Sequence, residues 1–245
     1  MLKRVPTAAK IVRDLRYLSM IMRERWLIDR LKMNDNSHLT KEWNFLTPAE
    51  QERYNVVIEL VRSHIGSNDW GDVLEIGCAE GLFTMRLAEQ CRTLTACDIS
   101  PVACAQTRER LETRPDLRVE VCDLYVDALP GIHDVVFAMD VLEFIYGRDQ
   151  VAAVGRKLAS ALRPDGTLVI SICRLPKELR GAWWSSLFPA GDALIDFYDG
   201  RFGLRLLGKQ IHSVPNQDAL GYIEHIFAIF TKNNGGELVS PQPTR

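Results

Sequence analysis

The sequence predicts an α/β protein: a seven-stranded, mostly parallel sheet with an antiparallel last strand and an N-terminal helical extension. Three observations lead there. After Gly71 short apolar strands alternate with amphipathic helices, the pattern of a parallel sheet covered on both faces. The last two strand-like runs, Leu204–Val214 and Tyr222–Lys232, have no helix between them and so read as an antiparallel pair at the sheet edge. Before residue 67 two segments, 8–33 and 48–64, read as helices.

Element by element, Ile11, Leu15, Leu18, Met22 and Trp26 form one helical stripe within residues 8–33, ended by Asn34-Asp35-Asn36-Ser37. A second helix is expected from Pro48 to His64. Thr47 is its N-cap, Pro48 its N1 residue, Glu50 the partner in a capping box, and Gly66 its stop. Then follow strand Val73–Ile76, helix Leu82–Gln90, strand Thr93–Cys97 and a helix capped by Ser100 with Pro101 at N1. Strands Leu117–Cys122 and Asp134–Met139 come next, then a helix face marked by Val151, Val154, Leu158 and Leu162. Arg163–Gly166 reads as a turn into a fifth strand, Thr167–Ile172. Arg174–Gly203 is too long for a plain connector and is expected to hold a helix and part of a pocket wall. The expected division is residues 1–66 as a helical arm and cap, 67–232 as the α/β domain, and 233–245 as a disordered tail.

Bulk properties narrow the class. The chain has 245 residues, 47% hydrophobic and 25% charged, with a net charge of −2. That is ordinary globular composition, without the global basic field of a nucleic-acid binder. Residues 1–33 nevertheless carry nine Lys/Arg against three acids, a local excess of +6. None of the six cysteines forms a C-x-x-C pair, so free thiols in a reducing cytoplasm are expected, and no metal site. No apolar run is long enough to span a bilayer, and the N-terminus lacks the apolar core of a secretory signal.

The chemistry is concentrated at strand ends. In Val73-Leu74-Glu75-Ile76-Gly77-Cys78-Ala79-Glu80-Gly81-Leu82-Phe83-Thr84 a buried strand enters a glycine turn and then a helix, a cofactor loop in the usual place. Gly77 and Gly81 allow a sharp turn and close approach of a ligand. A dinucleotide loop would show G-x-G-x-x-G facing a pyrophosphate. Here the spacing is G-x-x-x-G and Glu75 would repel phosphate, which points to a cationic ligand. Asp98 ends the second strand, with Ile99 beside it, and can accept from two ribose hydroxyls. Asp123-Leu124 ends the third strand, and Met139-Asp140 the fourth.

The loop Val73–Thr84 resembles motif I of class I S-adenosylmethionine (SAM) methyltransferases, [D/E]-x-G-x-G-x-G, with Ala79 in place of the middle glycine. The resemblance implies a Rossmann-like fold and a SAM cofactor. It places Glu75, Gly77, Cys78, Ala79 and Gly81 around the cofactor, Asp98 on its ribose, Asp123 on its adenine amino group and Leu124 against the ring. It also puts Met139 and Asp140 beside the methyl position. The family often has E-V-L-E-H after the fourth strand. This chain has Asp140-Val141-Leu142-Glu143-Phe144, so no role of that histidine carries over. Upstream, Glu42-Trp43-Asn44-Phe45 and Pro48-Ala49-Glu50-Gln51-Glu52-Arg53-Tyr54 are similar to the D-P-W…Y-E-x-x-[RK]-Y pattern of the NodS-like group, N-methyltransferases of nodulation-factor oligosaccharides. That similarity implies that Trp43 and Tyr54 close over SAM.

The expected function is methyl transfer from SAM to a small polar metabolite or sugar, leaning to an amine. Asp140 and Glu143 are candidates to position the acceptor, and His212 is a candidate base; His225 is weighed equally with it on the neighbouring strand. Competing readings are an O-methyltransferase of a natural product, an RNA methyltransferase using the basic arm, and a SAM-binding regulator without catalysis. The RNA reading lacks an N-P-P-[YF]-type motif after the fourth strand. A small-molecule acceptor is the expected partner, and a homodimer is left open beside a monomer.

Overall fold

The computed structural model describes residues 46–67, 69–114, 116–145, 147–174, 191–216 and 221–233. The expected helix over 8–33, Trp43 and most of the tail lie outside the described residues.

Helix α1 (Pro48–Ile65) starts where Thr47 Oγ1 accepts the Glu50 N–H and stops at Gly66, whose φ of 67° closes the last turn. The expected capping box is only half made. The Glu50 carboxylate turns to Arg53, with Oε2 at 2.7 Å from Nη2, because a guanidinium one turn away offers a charged partner.

The sheet follows: β1 (Asp72–Ile76), β2 (Thr93–Asp98), β3 (Leu117–Val121), β4 (His133–Met139), β5 (Leu162–Arg174), β6 (Leu204–Asn216) and β7 (Gly221–Lys232). Their order is β3-β2-β1-β4-β5-β7-β6. Strands β1 to β5 pair in parallel, and β7 runs antiparallel to both β5 and β6. The expected seven-stranded fold is therefore the observed one, with β6 rather than β7 at the edge. The helices between are α2 (Leu82–Ala88), α3 (Pro101–Arg110), α4 (Arg148–Ser160) and α5 (Asp192–Tyr198). Ser100 caps α3 through a 3.2 Å bond from the Ala103 N–H. Two local expectations shift. Leu162 belongs to β5, not to the preceding helix. The Arg163–Gly166 turn is looped out inside β5, where pairing jumps from His133–Leu162 to Val135–Thr167 and Asp165 takes φ 61°.

Alternate residues of the strands feed two cores. Leu74, Ile76, Val136 and Ala138 join α4 and α5 on one face. Val73, Val135, Phe137, Met139, Val169 and Phe227 join Tyr54, Val57, Ile58 and Val61 of α1 and Phe83 and Leu87 of α2 on the other. Phe137 is fully buried between Trp70 and Phe83, which contributes roughly 2–3 kcal/mol. Helix α1 is thus part of the sheet's own core, and its N-terminal turn is carried to the carboxyl end of β4. All six cysteines are free. Among the described residues no helix is long and apolar enough to cross a membrane.

Candidate active site

The site lies at the carboxyl edge of the parallel strands, where open α/β sheets bind ligands. It has two walls of different construction.

The first wall is the turn after β1. Gly77 and Gly81 have φ of 82° and 83°, the left-handed region that favours glycine. A Cβ on Gly77 would stand 2.2 Å from Val141 Cγ1, so the turn fits against the β4 loop only without a side chain. Ala79 also adopts a positive φ of 46°. Cys78 is buried, and its backbone N–H, like that of Gly77, bonds the Cys97 carbonyl. Glu75 is 1% exposed on the face that carries Val73, and its Oε2 has no hydrogen-bond partner. Burial pushes this carboxyl up to about 8, with the nearby Thr84 hydroxyl working against the rise and the Asp98 charge adding to it. A buried carboxylate oxygen without a hydrogen-bond partner is suited to a cationic ligand group.

Asp98 ends β2. Its Oδ2 accepts the Ala79 N–H at 2.9 Å and its Oδ1 the Ser100 N–H at 2.8 Å, so it braces the turn from below. Burial raises its pKa, partly offset by the bonds from Ser100, Ala79 and Ile99. Each oxygen retains acceptor capacity beyond its backbone bond. Asp123 follows β3. Its N–H donates to Asp127 Oδ2, and its Oδ1 accepts the Tyr125 N–H at 2.9 Å. Leu124 is buried beside it, with its carbonyl held by Lys157 Nζ at 2.8 Å.

The second wall is built around Asp140, just after β4 and the buried Met139. Asp140 has φ 52° and donates its N–H to the Ser171 carbonyl at 2.9 Å. Its Oδ1 accepts from Ser171 Oγ at 2.6 Å and stands 3.2 Å from His225 Nδ1. Its Oδ2 is paired with Arg53 Nη1. Arg53 is 4% exposed and also reaches Ser171 Oγ at 3.2 Å and Glu50. Burial alone would raise the Asp140 carboxyl, but Arg53, then His225 and Ser171, hold it well below the usual carboxylate range.

Three further candidates are placed by their packing and register. Tyr54 is buried against Phe83, with ring centroids 5.1 Å apart, and Arg53 lies over its outer face at 5.3 Å. Glu143 sits partly buried on a single 3₁₀ turn, Leu142–Phe144. His212 stacks on Phe227 at 6.0 Å, and it is His225, its register partner, that reaches Asp140. Arg53 and Ser171 were not singled out as site residues. Arg53 is legible in the Glu50-x-x-Arg53-Tyr54 spacing of the upstream motif; Ser171 lies inside an apolar strand with no local signal. A groove of about 350 Å³ between α1 and β6 is lined by Glu52, Asn55, Glu59, Ser63 and Gln210 over Val56 and Leu60.

Residues 29–220 match the protein family described as Nodulation protein S (NodS). The chain belongs to the NodS family. As a member of it, the chain is a SAM-dependent methyltransferase, as the resemblance at Val73–Thr84 implied. Nodulation protein S of Azorhizobium caulinodans is 27% identical over 181 residues, covering 73% of this chain and 83% of the relative. That of Bradyrhizobium diazoefficiens is 32% identical over 133 residues, covering 54% of this chain and 62% of the relative, so the match spans less than two thirds of that NodS. Among solved structures, N-methyltransferase NodS from Bradyrhizobium japonicum WM9, in complex with S-adenosylhomocysteine (SAH), superposes with a TM-score of 0.65 at 23% identity. That superposition covers 85% of this chain and 98% of the solved one, and it supports the fold.

Proposed function

We propose that this NodS-family enzyme methylates an amine on a small polar acceptor, an amino sugar or an oligosaccharide that carries one. The observation that supports this most is Asp140, kept ionised at the strand end where the resemblance puts the methyl group. A carboxylate with so low a pKa is too weak a base to activate an alcohol. It can still accept a hydrogen bond from an amine, which supplies its own lone pair once neutral. The groove between α1 and β6 supports a sugar: carboxylates, amides and a hydroxyl surround an aliphatic floor. It runs from Glu52, next to Arg53, to Gln210, two residues from His212.

The cofactor wall suits SAM residue by residue. Glu75, whose Oε2 has no hydrogen-bond partner, would take the cationic amino end, and the turn Gly77-Cys78-Ala79-Gly81 would pass beneath the ligand. Asp98, with Ile99 beside it, would accept from the ribose hydroxyls. Asp123 would accept from the adenine amino group, and Leu124 would pack on the ring. Met139 would border the methyl position, with Trp43 and Tyr54 on the N-terminal side. SAM, when bound, supplies an electrophilic methyl on a sulfonium, so the chain needs chiefly to align the acceptor with it and exclude water. Asp140 and Glu143 would orient the acceptor nitrogen. Six free thiols support a cytoplasmic enzyme.

The test uses SAM with two probes, a glucosamine oligomer and its fully N-acetylated counterpart. One methyl on nitrogen of the first, by mass spectrometry, is expected. Methylation of hydroxyls on the second, or neither SAM nor SAH raising the melting temperature, overturns the reading. So does a wild-type SAM shift retained in Asp98→Ala.

A further inference from the structure

His225 differs from His212 in one respect that matters for chemistry. The two are register partners on β7 and β6, with Cys173 of β5 opposite His225 on its other side. Directly opposed residues share a face, so all three stand on the face that α1 covers. Because β7 is antiparallel to β5, its first residues lie at the carboxyl edge of the parallel strands, beside Asp140. Of the two imidazoles it is His225 whose Nδ1 meets Asp140 Oδ1, at 3.2 Å.

That carboxylate is immobilised. Ser171 Oγ and Arg53 bond its oxygens, the Ser171 carbonyl takes its N–H, and its backbone is held at φ 52°. A non-glycine residue in that conformation persists where surrounding bonds over-determine it, often at a functional site. An ionised carboxylate only accepts hydrogen bonds, so it selects the His225 tautomer with the proton on Nδ1. The lone pair is then on Nε2, and the side chain retains 12% exposure. The arrangement is the acid–imidazole pair in which the acid orients the base and stabilises its cation.

We propose that His225 takes the proton from the acceptor ammonium, and that Asp140 is the positioning residue that aims it. This rests on the amine reading given above. The Nε2 lone pair accepts a proton from R–NH3+, giving imidazolium and R–NH2. The freed nitrogen pair forms the N–CH3 bond as the C–S bond breaks, its electrons going to sulfur. The products are R–NH2+–CH3, neutral SAH and a proton on His225 that returns to solvent. The charged groups bonded into the cluster at this imidazole are Asp140 and, on α1, Arg53 and Glu50. Among the described residues, Glu52 on α1 and His212 on β6 also interact with this cluster, and Cys173 on β5 is the register partner of His225.

The test has two arms on the full chain. In the first, kcat with the glucosamine oligomer is measured against pH for wild type, His225→Gln and His225→Ala. In wild type kcat should fall as pH drops and reach a plateau as pH rises. In His225→Gln it should drop about 100-fold and climb with pH without that plateau. Added imidazole should restore part of the His225→Ala activity. A wild-type rate and profile in His225→Gln, with SAH binding intact, overturns the base and leaves the amine reading standing. The second arm needs no acceptor: 15N chemical shifts of the SAH complex should show His225 protonated on Nδ1 and bare on Nε2. The opposite tautomer overturns the proposal, whereas absence of SAM and SAH binding by wild type overturns the reading beneath it.

Discussion

The two walls of the site are built differently. The proposed cofactor wall consists of short-range features: a strand, a glycine turn and acids at successive strand ends, of which Asp98 and Asp123 are bonded to backbone within their own loop or the next. The proposed acceptor wall consists of side chains from distant parts of the chain. Arg53 on α1, Asp140 after β4, Ser171 on β5 and His225 on β7 meet at one carboxylate. The first wall can be recognised locally because its chemistry is in the backbone. The second exists only after the sheet is assembled, and losing one member exposes the charge of another.

Substitutions should separate the walls. The largest effect is expected at Gly77→Ala. A methyl 2.2 Å from Val141, at a φ of 82°, cannot be accommodated without moving the turn, so the thermal shift with SAH should vanish. A normal shift would show that the turn is not the cofactor wall. Asp140→Asn should come next. It leaves Arg53 buried with Glu50 as its remaining carboxylate, at a cost of about 3 kcal/mol in chemical denaturation, while SAH affinity changes little. Equal loss of cofactor binding would merge the walls into one unit.

A third, smaller effect is a pH dependence confined to the cofactor wall. If the ligand's amino group binds the ionised Glu75, SAH affinity rises with pH up to about 8 and then levels. The slope below that point approaches tenfold per pH unit, about 1.4 kcal/mol, with release of up to one proton by calorimetry in buffers of different ionisation enthalpy. Glu75→Gln should abolish the slope. The sign for the ligand-free protein is opposite: the unfolded chain loses this proton near 4.5, so stability falls as pH rises from there to about 8. The smallest effect is expected at Thr47→Ala. Losing the cap of α1 should cost about 1 kcal/mol and loosen the helix turn that delivers Arg53.

The fold and the local structure of the proposed cofactor wall were largely legible. The caps Thr47 and Ser100 and the stop Gly66 fall where local chemistry puts them, since a side-chain oxygen and a positive φ act within three residues. The acids Glu75, Asp98, Asp123 and Asp140 lie at strand ends as expected. The half-made capping box was not legible, because Glu50 has two partners within reach and the guanidinium is the stronger. Neither was the choice between His212 and His225, which occupy similar strands and differ only in which one the β7 register sets beside Asp140. Trp43 lies outside the described residues.

By itself the sequence determined the order of elements and the turn after β1, with its glycines and the acid before it, because strand period and glycine φ are local properties. Only the tertiary structure decided what Asp140 does. Its charge is shared with Arg53, Ser171 and His225, between 31 and 87 residues away along the chain. A contact over such separations is set by strand order, register and the packing of α1, which no local pattern encodes.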